Sequence, residues 1–152
     1  MIHMITIRQA TIEDASIVAH FVDLLLCELS GGPSRLAERQ DTTAQLLKQG
    51  DKVAGFLAHD GGDAVGVLLV AENHAVYAGG AFGVITELYI APESRSSGVA
   101  QHLIQAAQAY GRERAWPYLE VGAPRQPQWE RSLKFYIRQG FNEIGPRLRL
   151  KT

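Results

Sequence analysis

Between Gly83 and Gly122 the chain reads as a strand, a loop, a helix and a second strand, and this run limits the possible folds more than any other feature. Gly83 to Ala91 (G-V-I-T-E-L-Y-I-A) is rich in β-branched and aromatic residues, which suit a pleated, half-buried surface. Pro92 to Gly98 is a loop. Val99 to Arg114 sets Val99, Leu103, Ala106, Ala107 and Tyr110 along one helical face. Pro117 then precedes a strand over Tyr118 to Gly122. Two strands joined through a helix cannot form a hairpin. The crossover must be right-handed, with the two strands parallel and the helix packed on the sheet.

The remaining segments extend that unit into an α/β domain. Met4 to Arg8 alternates apolar with polar residues, as a half-buried strand does. Thr11-Ile12-Glu13-Asp14 resembles a helix start, with Thr11 as N-cap and acids in the first turn. Ile17, Phe21, Leu24, Leu25 and Leu29 follow at helical spacing until Ser30-Gly31-Gly32-Pro33 ends the helix. A weaker helix is predicted from Thr42 to Gln49. Val53 to His59 and Ala64 to Glu72 are two strands joined by Asp60-Gly61-Gly62-Asp63, a hairpin turn. Asn73 to Phe82 reads as a turn or a ragged strand end. Ala123 to Gln128 carries two prolines and is loop. A last helix runs from Trp129 to Gln139, with Gly140 as its cap, and Phe141 to Ile144 and Arg147 to Lys151 read as two short closing strands. The predicted order is β-α-α-β-β-β-α-β-α-β-β, a mixed sheet with a central parallel pair.

With 152 residues the chain is expected to be one domain, residues 1–152. Cys27 has no partner cysteine, which excludes an internal disulfide and any cysteine-clustered metal site. The histidines His3, His20, His59, His74 and His102 lack i,i+4 ligand spacing, so no metal is expected. The longest apolar run, Ala64 to Ala71, holds eight residues against the ~18 a membrane helix needs. The N-terminal residues carry no basic stretch before an apolar run, so a soluble, cytoplasmic protein with no membrane partner is expected. A net charge of −1 argues against nucleic-acid binding. Residues 112–152 nevertheless hold nine Lys and Arg against four acids, leaving residues 1–111 acidic. That asymmetry is compatible with an anionic cofactor meeting a cationic substrate, although an ordinary solvated surface is the plainer reading of it.

The chemistry concentrates in Ile85 to Ala100, where the strand runs through a short loop into the helix. Free N–H groups at a helix start favour an anion. Gly98 lets a ligand approach the backbone, Ser96 and Ser97 add hydroxyls, and Arg95 adds a fixed positive charge. The result is a pyrophosphate cradle or, on the plainer reading, a capped helix. No Walker loop, Gly-x-Gly-x-x-Gly or Gly-x-Ser-x-Gly occurs.

Leu88 to Ala100 (L-Y-I-A-P-E-S-R-S-S-G-V-A) resembles the Arg/Gln-x-x-Gly-x-Gly/Ala acetyl-CoA motif of the GCN5-related N-acetyltransferases. Leu133 to Phe141 (L-K-F-Y-I-R-Q-G-F) resembles the same family's Tyr-x-x-x-Gly-Phe closing helix. The opening strand, helix pair and meander fit the same plan. The resemblance implies that the strand carrying Leu88 and Ile90 splays from the strand Tyr118 to Gly122, and that the pantetheine arm pairs with Leu88 and Ile90 in the gap. A strand N–H near Tyr89 or Ile90 would polarise the thioester carbonyl. The amides of Ser96, Ser97, Gly98, Val99 and Ala100, beside Arg95, would hold the pyrophosphate.

Tyr136 matches the family tyrosine that protonates the departing thiolate, core packing beside Leu133 and Ile137 being the other reading. A phenol of pKa ~10 is protonated near neutrality and suited to donate. Seven residues earlier the family often has Asn, whereas this chain has Trp129, whose indole can donate but not accept. Glu87, on the opposite strand face from Leu88 and the same face as Tyr89, corresponds to the acid that takes the amine proton, or is a solvated edge residue. Cys27 reads as packing. The implied function is acetyl transfer from acetyl-CoA, as co-substrate, to a primary amine by direct attack in a ternary complex. The acceptor would be a small molecule or a peptide. An acidic surface around Glu28, Glu38 and Asp41 would favour a cationic one. The alternative is a catalytically inactive module of the same fold that senses acyl-CoA or binds a partner. The alternating final strand suits a homodimer, while its Arg and Lys residues discourage edge pairing.

Overall fold

The computed structural model describes residues 3–152. Five strands form one sheet in the order β1-β2-β3-β4-β5: β1 Ile5–Gln9, β2 Val53–Asp60, β3 Asp63–Ala75, β4 Gly80–Ile90 and β5 Leu119–Val121. The first four are antiparallel neighbours, and β5 joins β4 in parallel. The helices are α1 Ala15–Ser30, α2 Leu36–Leu47, α3 Val99–Glu113 and α4 Glu130–Arg138. The parallel pair is thus the one that the β4-α3-β5 crossover demands.

Alternation along the strands divides the core between the two sheet faces. One face gives Ala54, Phe56, Leu68, Val70, Ile85 and Ile90 to a cluster completed by Val99, Leu103, Ile104 and Ala107 of α3. The other gives Leu57, Val67, Leu69 and Tyr89 to a cluster completed by Val18, Phe21 and Val22 of α1. Leu57, Leu68 and Leu103 are fully buried, and each stabilises the fold by about 1.5–3 kcal/mol through transfer from water. Phe135 and Tyr136 of α4 pack against the α3-side cluster together with Leu88, Val121 and Phe141.

Gly83 sets where β4 and β5 meet. A Cβ there would lie 2.5 Å from the Trp116 ring and 2.6 Å from Leu119. The bare backbone lets the indole close over the strand, and its Nε1 donates to Glu72 at 2.8 Å.

Several boundaries differ from expectation. Thr11 does not cap α1 with its hydroxyl. A 3-10 turn, Ile12–Asp14, comes first, and the Asp14 carboxylate accepts from the Thr11 N–H (2.8 Å) and from both terminal nitrogens of Arg8 (2.8 Å each). The second helix begins at Leu36, not Thr42, because its start is held from another element. Asp23 of α1, 5% exposed, accepts from the Ser34 hydroxyl (2.6 Å), the Arg35 N–H (2.9 Å) and Arg39 (2.7 Å). Asn73 to Phe82 is strand on both sides of a 3-10 turn, Val76–Ala78.

The two closing strands do not form. Residues 141–152 have no ladder partner among the described residues, and Ile144, Leu148 and Leu150 are 77%, 95% and 89% exposed. Alternation assigns faces, whereas a strand also needs a neighbour's N–H and C=O groups.

Candidate active site

The site begins with a mismatch in how β4 is paired. Its β3 side is laddered through Ile90, opposite Gly66, but its β5 side is laddered only over Gly83, Val84 and Ile85. From Thr86 to Ile90 that edge is open among the described residues. A β-bulge marks the change: Val70 pairs with Ile85 and Leu69 with Glu87, leaving Thr86 as the extra residue.

The bulge also decides which amides reach the gap. The Gly83 N–H donates to Tyr118 on the β5 side (3.3 Å), and the Ala91 N–H donates to Val65 on the β3 side (2.8 Å). Successive residues turn their main-chain groups to opposite edges. Leu88 and Ile90 therefore present theirs to the open edge. Glu87, paired with Leu69, shares the Tyr89 face, as expected, and its carboxylate accepts from the Thr86 hydroxyl.

Beyond β4, Pro92–Ser94 makes a 3-10 turn and Gly98 caps α3 in the left-handed region at φ +86°. Ser96 is also left-handed, at φ +68°, a conformation that costs a non-glycine residue about 1–2 kcal/mol. Among the described residues, the N–H groups of Ser96, Ser97, Gly98, Val99 and Ala100 have no hydrogen-bond acceptor in the protein. Five consecutive donors at the positive end of a helix dipole fit an anionic group. Two of the side chains around them are occupied elsewhere. The Ser97 hydroxyl donates to the Ser94 carbonyl, and His102 Nδ1 lies 2.7 Å from the Gly98 carbonyl.

Arg95 was expected to face the same anion, and the structure directs it away. Its Nε donates to the Ile90 carbonyl (2.9 Å), its terminal nitrogens to both carboxylate oxygens of Glu28 (3.0 and 3.3 Å), and its guanidinium lies 5.3 Å from the Tyr89 ring centroid. The bond to Glu28 raises the Arg95 pKa further. Glu28 is thereby committed to an internal partner, as is Glu38, which accepts from Arg35 at 2.5 Å. Of the three acids expected to draw a cationic acceptor, only Asp41 has no such partner among the described residues.

Tyr136, on α4, stands against Phe141 with ring centroids 5.6 Å apart and joins the cluster holding Leu88, Ile90 and Val121. Burial pushes its phenol up to about 12, and its hydroxyl makes no hydrogen bond within the described protein. Trp129 is half-buried at the start of α4, where its backbone carbonyl accepts from Gln126 (3.3 Å). No group of His, Cys, Asp or Glu suited to a metal occurs among the described residues. No helix among them is long and apolar enough to cross a membrane. A surface depression of about 380 Å³ borders Ser97 and His102 but is otherwise lined by residues 3–6, away from β4 and α4.

Sequence reasoning missed the bulge at Thr86 and the pairing of Glu28 with Arg95. The bulge left a trace: Ile85 and Leu88, three apart, share a face and so break strict alternation. The ion pair left none, since its partners are 67 residues apart.

A parallel pair opens beside a helix start lined with free amides, and this arrangement defines an extended gap whose end suits an anion. Residues 19–141 match the model of the Acetyltransferase (GNAT) family, and the chain belongs to that family. No curated protein matches its sequence significantly. Solved structures resemble it over nearly their whole length. A possible acetyltransferase from Clostridium difficile 630 aligns with TM-score 0.84 and 16% identity, covering 98% of this chain and 97% of that one. The aminoglycoside N-acetyltransferase AAC(6')-Iy in complex with CoA gives 0.81 and 21%, covering 100% and 97%. A ribosomal-protein-alanine N-acetyltransferase from Brucella melitensis biovar Abortus 2308 gives 0.77 and 21%, covering 98% and 99%. At these identities the likeness is one of fold.

Proposed function

We propose that this protein is an acetyl-CoA-dependent N-acetyltransferase acting on a primary amine by direct attack in a ternary complex. The observation that carries this reading is the combination of three features: the open β4 edge, the free amides of Ser96 to Ala100, and Tyr136 packed against the cluster that Leu88 and Ile90 share. It is supported by the family, and by one structural neighbour's having CoA bound. Acetyl-CoA supplies an acetyl group activated as a thioester.

In this reading the amides of Ser96 to Ala100 hold the diphosphate, and the main chain of Leu88 and Ile90 pairs with the pantetheine amides. An N–H on the open edge of β4 donates to the thioester oxygen as negative charge builds there. The amine nitrogen forms its bond to the carbonyl carbon while the carbon–sulfur bond breaks. Glu87 accepts the ammonium proton through water, and Tyr136 donates to the departing thiolate. Holding the reactants side by side and polarising the carbonyl together supply the acceleration. Trp129, at the α4 start, offers only a donor toward the cofactor. Two structural neighbours are named for an aminoglycoside and for a ribosomal-protein alanine. The amine class is the common chemistry.

Release of free thiol from acetyl-CoA, measured over kanamycin, spermidine, a lysine peptide and an alanine-terminated peptide, tests the proposal. Amine-dependent release is expected on at least one. Cofactor binding with no release on any amine would favour a sensing module. Absence of CoA binding at millimolar concentration would remove the acyl-transfer reading altogether.

A further inference from the structure

The side chain of Arg95 joins the end of β4, the end of α1 and the loop before α3. It sits within that loop, donates to the carbonyl of Ile90, the last residue of β4, and grips Glu28 in the final turn of α1 with two hydrogen bonds. Its plane also lies over Tyr89, which packs in turn on Phe21 of α1 with ring centroids 6.0 Å apart. Two parallel N–H···O bonds fix orientation as well as distance, which a lysine or a single contact would not do.

The end of α1 has few other anchors. Glu28, Leu29 and Ser30 are exposed, as are Gly31, Pro33, Ser34 and Arg35 in the link to α2. Segments with little burial open locally at low free energy. Beyond the local bonds that close the helix, such as Gly31 N–H to the Cys27 carbonyl and the Ser30 hydroxyl to the Leu26 carbonyl, this one is held by the hydrogen bonds on Asp23 and by the Arg95–Glu28 pair. It lies on the sheet face that carries Glu87 and Tyr89, the α1 face.

We propose that the Arg95–Glu28 pair is a strut through which a diphosphate in the loop orders the last turn of α1 and the α1–α2 link, making Glu28 a positioning residue for the acceptor side of the site. The proposal rests on the acyl-transfer reading above. A diphosphate binding the loop amides fixes the backbone at Arg95, and the two-bond grip passes that restraint to Glu28. Binding at one end then lowers the entropy still to be lost at the other, and the coupling is reciprocal. Arg95 keeps its guanidinium on Glu28 and leaves the anion to main-chain N–H groups.

Hydrogen exchange of the amides between Cys27 and Arg35, with and without CoA, reads this coupling without any amine. In the wild type, saturating CoA is expected to slow their exchange by about five-fold or more, within the usual range of coupling between sites. In Glu28→Gln that protection is lost while CoA affinity changes by less than about three-fold, the effect of a rim charge. Glu28→Asp, which keeps the charge, retains part of the protection. Protection undiminished in Glu28→Gln overturns the strut. So does an Arg95→Gln variant that weakens CoA binding equally in the wild-type and Glu28→Gln backgrounds, since Arg95 would then be a direct ligand. Failure of the wild type to bind CoA sinks the acyl-transfer reading and the strut together, and calorimetry on the wild type separates that result from the others.

Discussion

Replacing Tyr136 with Phe removes one hydroxyl and leaves the ring in place, so stability and chemistry separate cleanly. The phenol pKa of about 12 lies two units above its ordinary value, and ionising it inside the fold is therefore harder by about 3 kcal/mol. A thiol of pKa ~8.5 is a far stronger acid, so complete proton transfer from Tyr136 to the thiolate is uphill by roughly three units. In the proposed mechanism the hydroxyl therefore works chiefly as a hydrogen-bond donor to developing negative charge, worth about 1.5–3 kcal/mol. Tyr136→Phe is expected to lower kcat by roughly 10- to 150-fold, less than the four orders a full general acid can supply. The hydroxyl has no partner within the described protein, so unfolding free energy at pH 7 should change by less than about 1 kcal/mol. At high pH the sign is set by linkage. A phenol raised in the folded state stabilises fully below pH ~10, and that stability fades as the pH climbs toward 12. The Phe variant should lose this alkaline fall. Thiol-release kinetics and denaturant melts at pH 7, 10 and 11.5 check both halves. A kcat within two-fold of wild type would refute the assignment, and a loss of activity matched by a comparable loss of stability would make Tyr136 a packing residue.

Gly98→Ala tests the loop. A Cβ there has room, its nearest neighbour being the His102 ring at 3.8 Å, so the penalty is conformational at φ +86°, about 1–2 kcal/mol, plus, in the proposed complex, a methyl group where the diphosphate approaches. CoA affinity by calorimetry should fall by about ten-fold, with the circular dichroism unchanged. Asp14→Asn tests the anchor of β1 to the start of α1. Hydrogen bonds from Arg8 hold the Asp14 carboxyl at about 2, below its unfolded value of 3.8. Its contribution is therefore complete above pH ~4 and is lost as pH falls toward 2. Screening around the half-exposed Arg8 reduces that contribution to about 1 kcal/mol. Melts at pH 7 should show the difference between Asp14→Asn and wild type, and melts near pH 2 should show it vanish.

The parallel pair, the loop after Ile90 and the two motifs were legible because each is local: β-branched runs, helical spacing and turn residues act over a few positions. Residues that drew their conformation from distant partners were not. The start of α2 depends on Asp23, thirteen residues before it, and the direction of Arg95 depends on Glu28. The closing strands failed in the opposite way, since R-L-R-L-K supplies alternation without an edge to pair with.

Sequence alone thus determined the parallel pairing across the β4-α3-β5 crossover, the glycine and serines that free the loop amides, and a tyrosine on the last helix, because local sterics and side-chain spacing act through neighbouring residues. Tertiary structure decided where β5 stops pairing, which β4 amides face the opening and whether Arg95 meets an anion or a carboxylate. Those outcomes turn on one bulge and on charges brought within about 3 Å from far along the chain, where proximity in space, not in sequence, sets the energy.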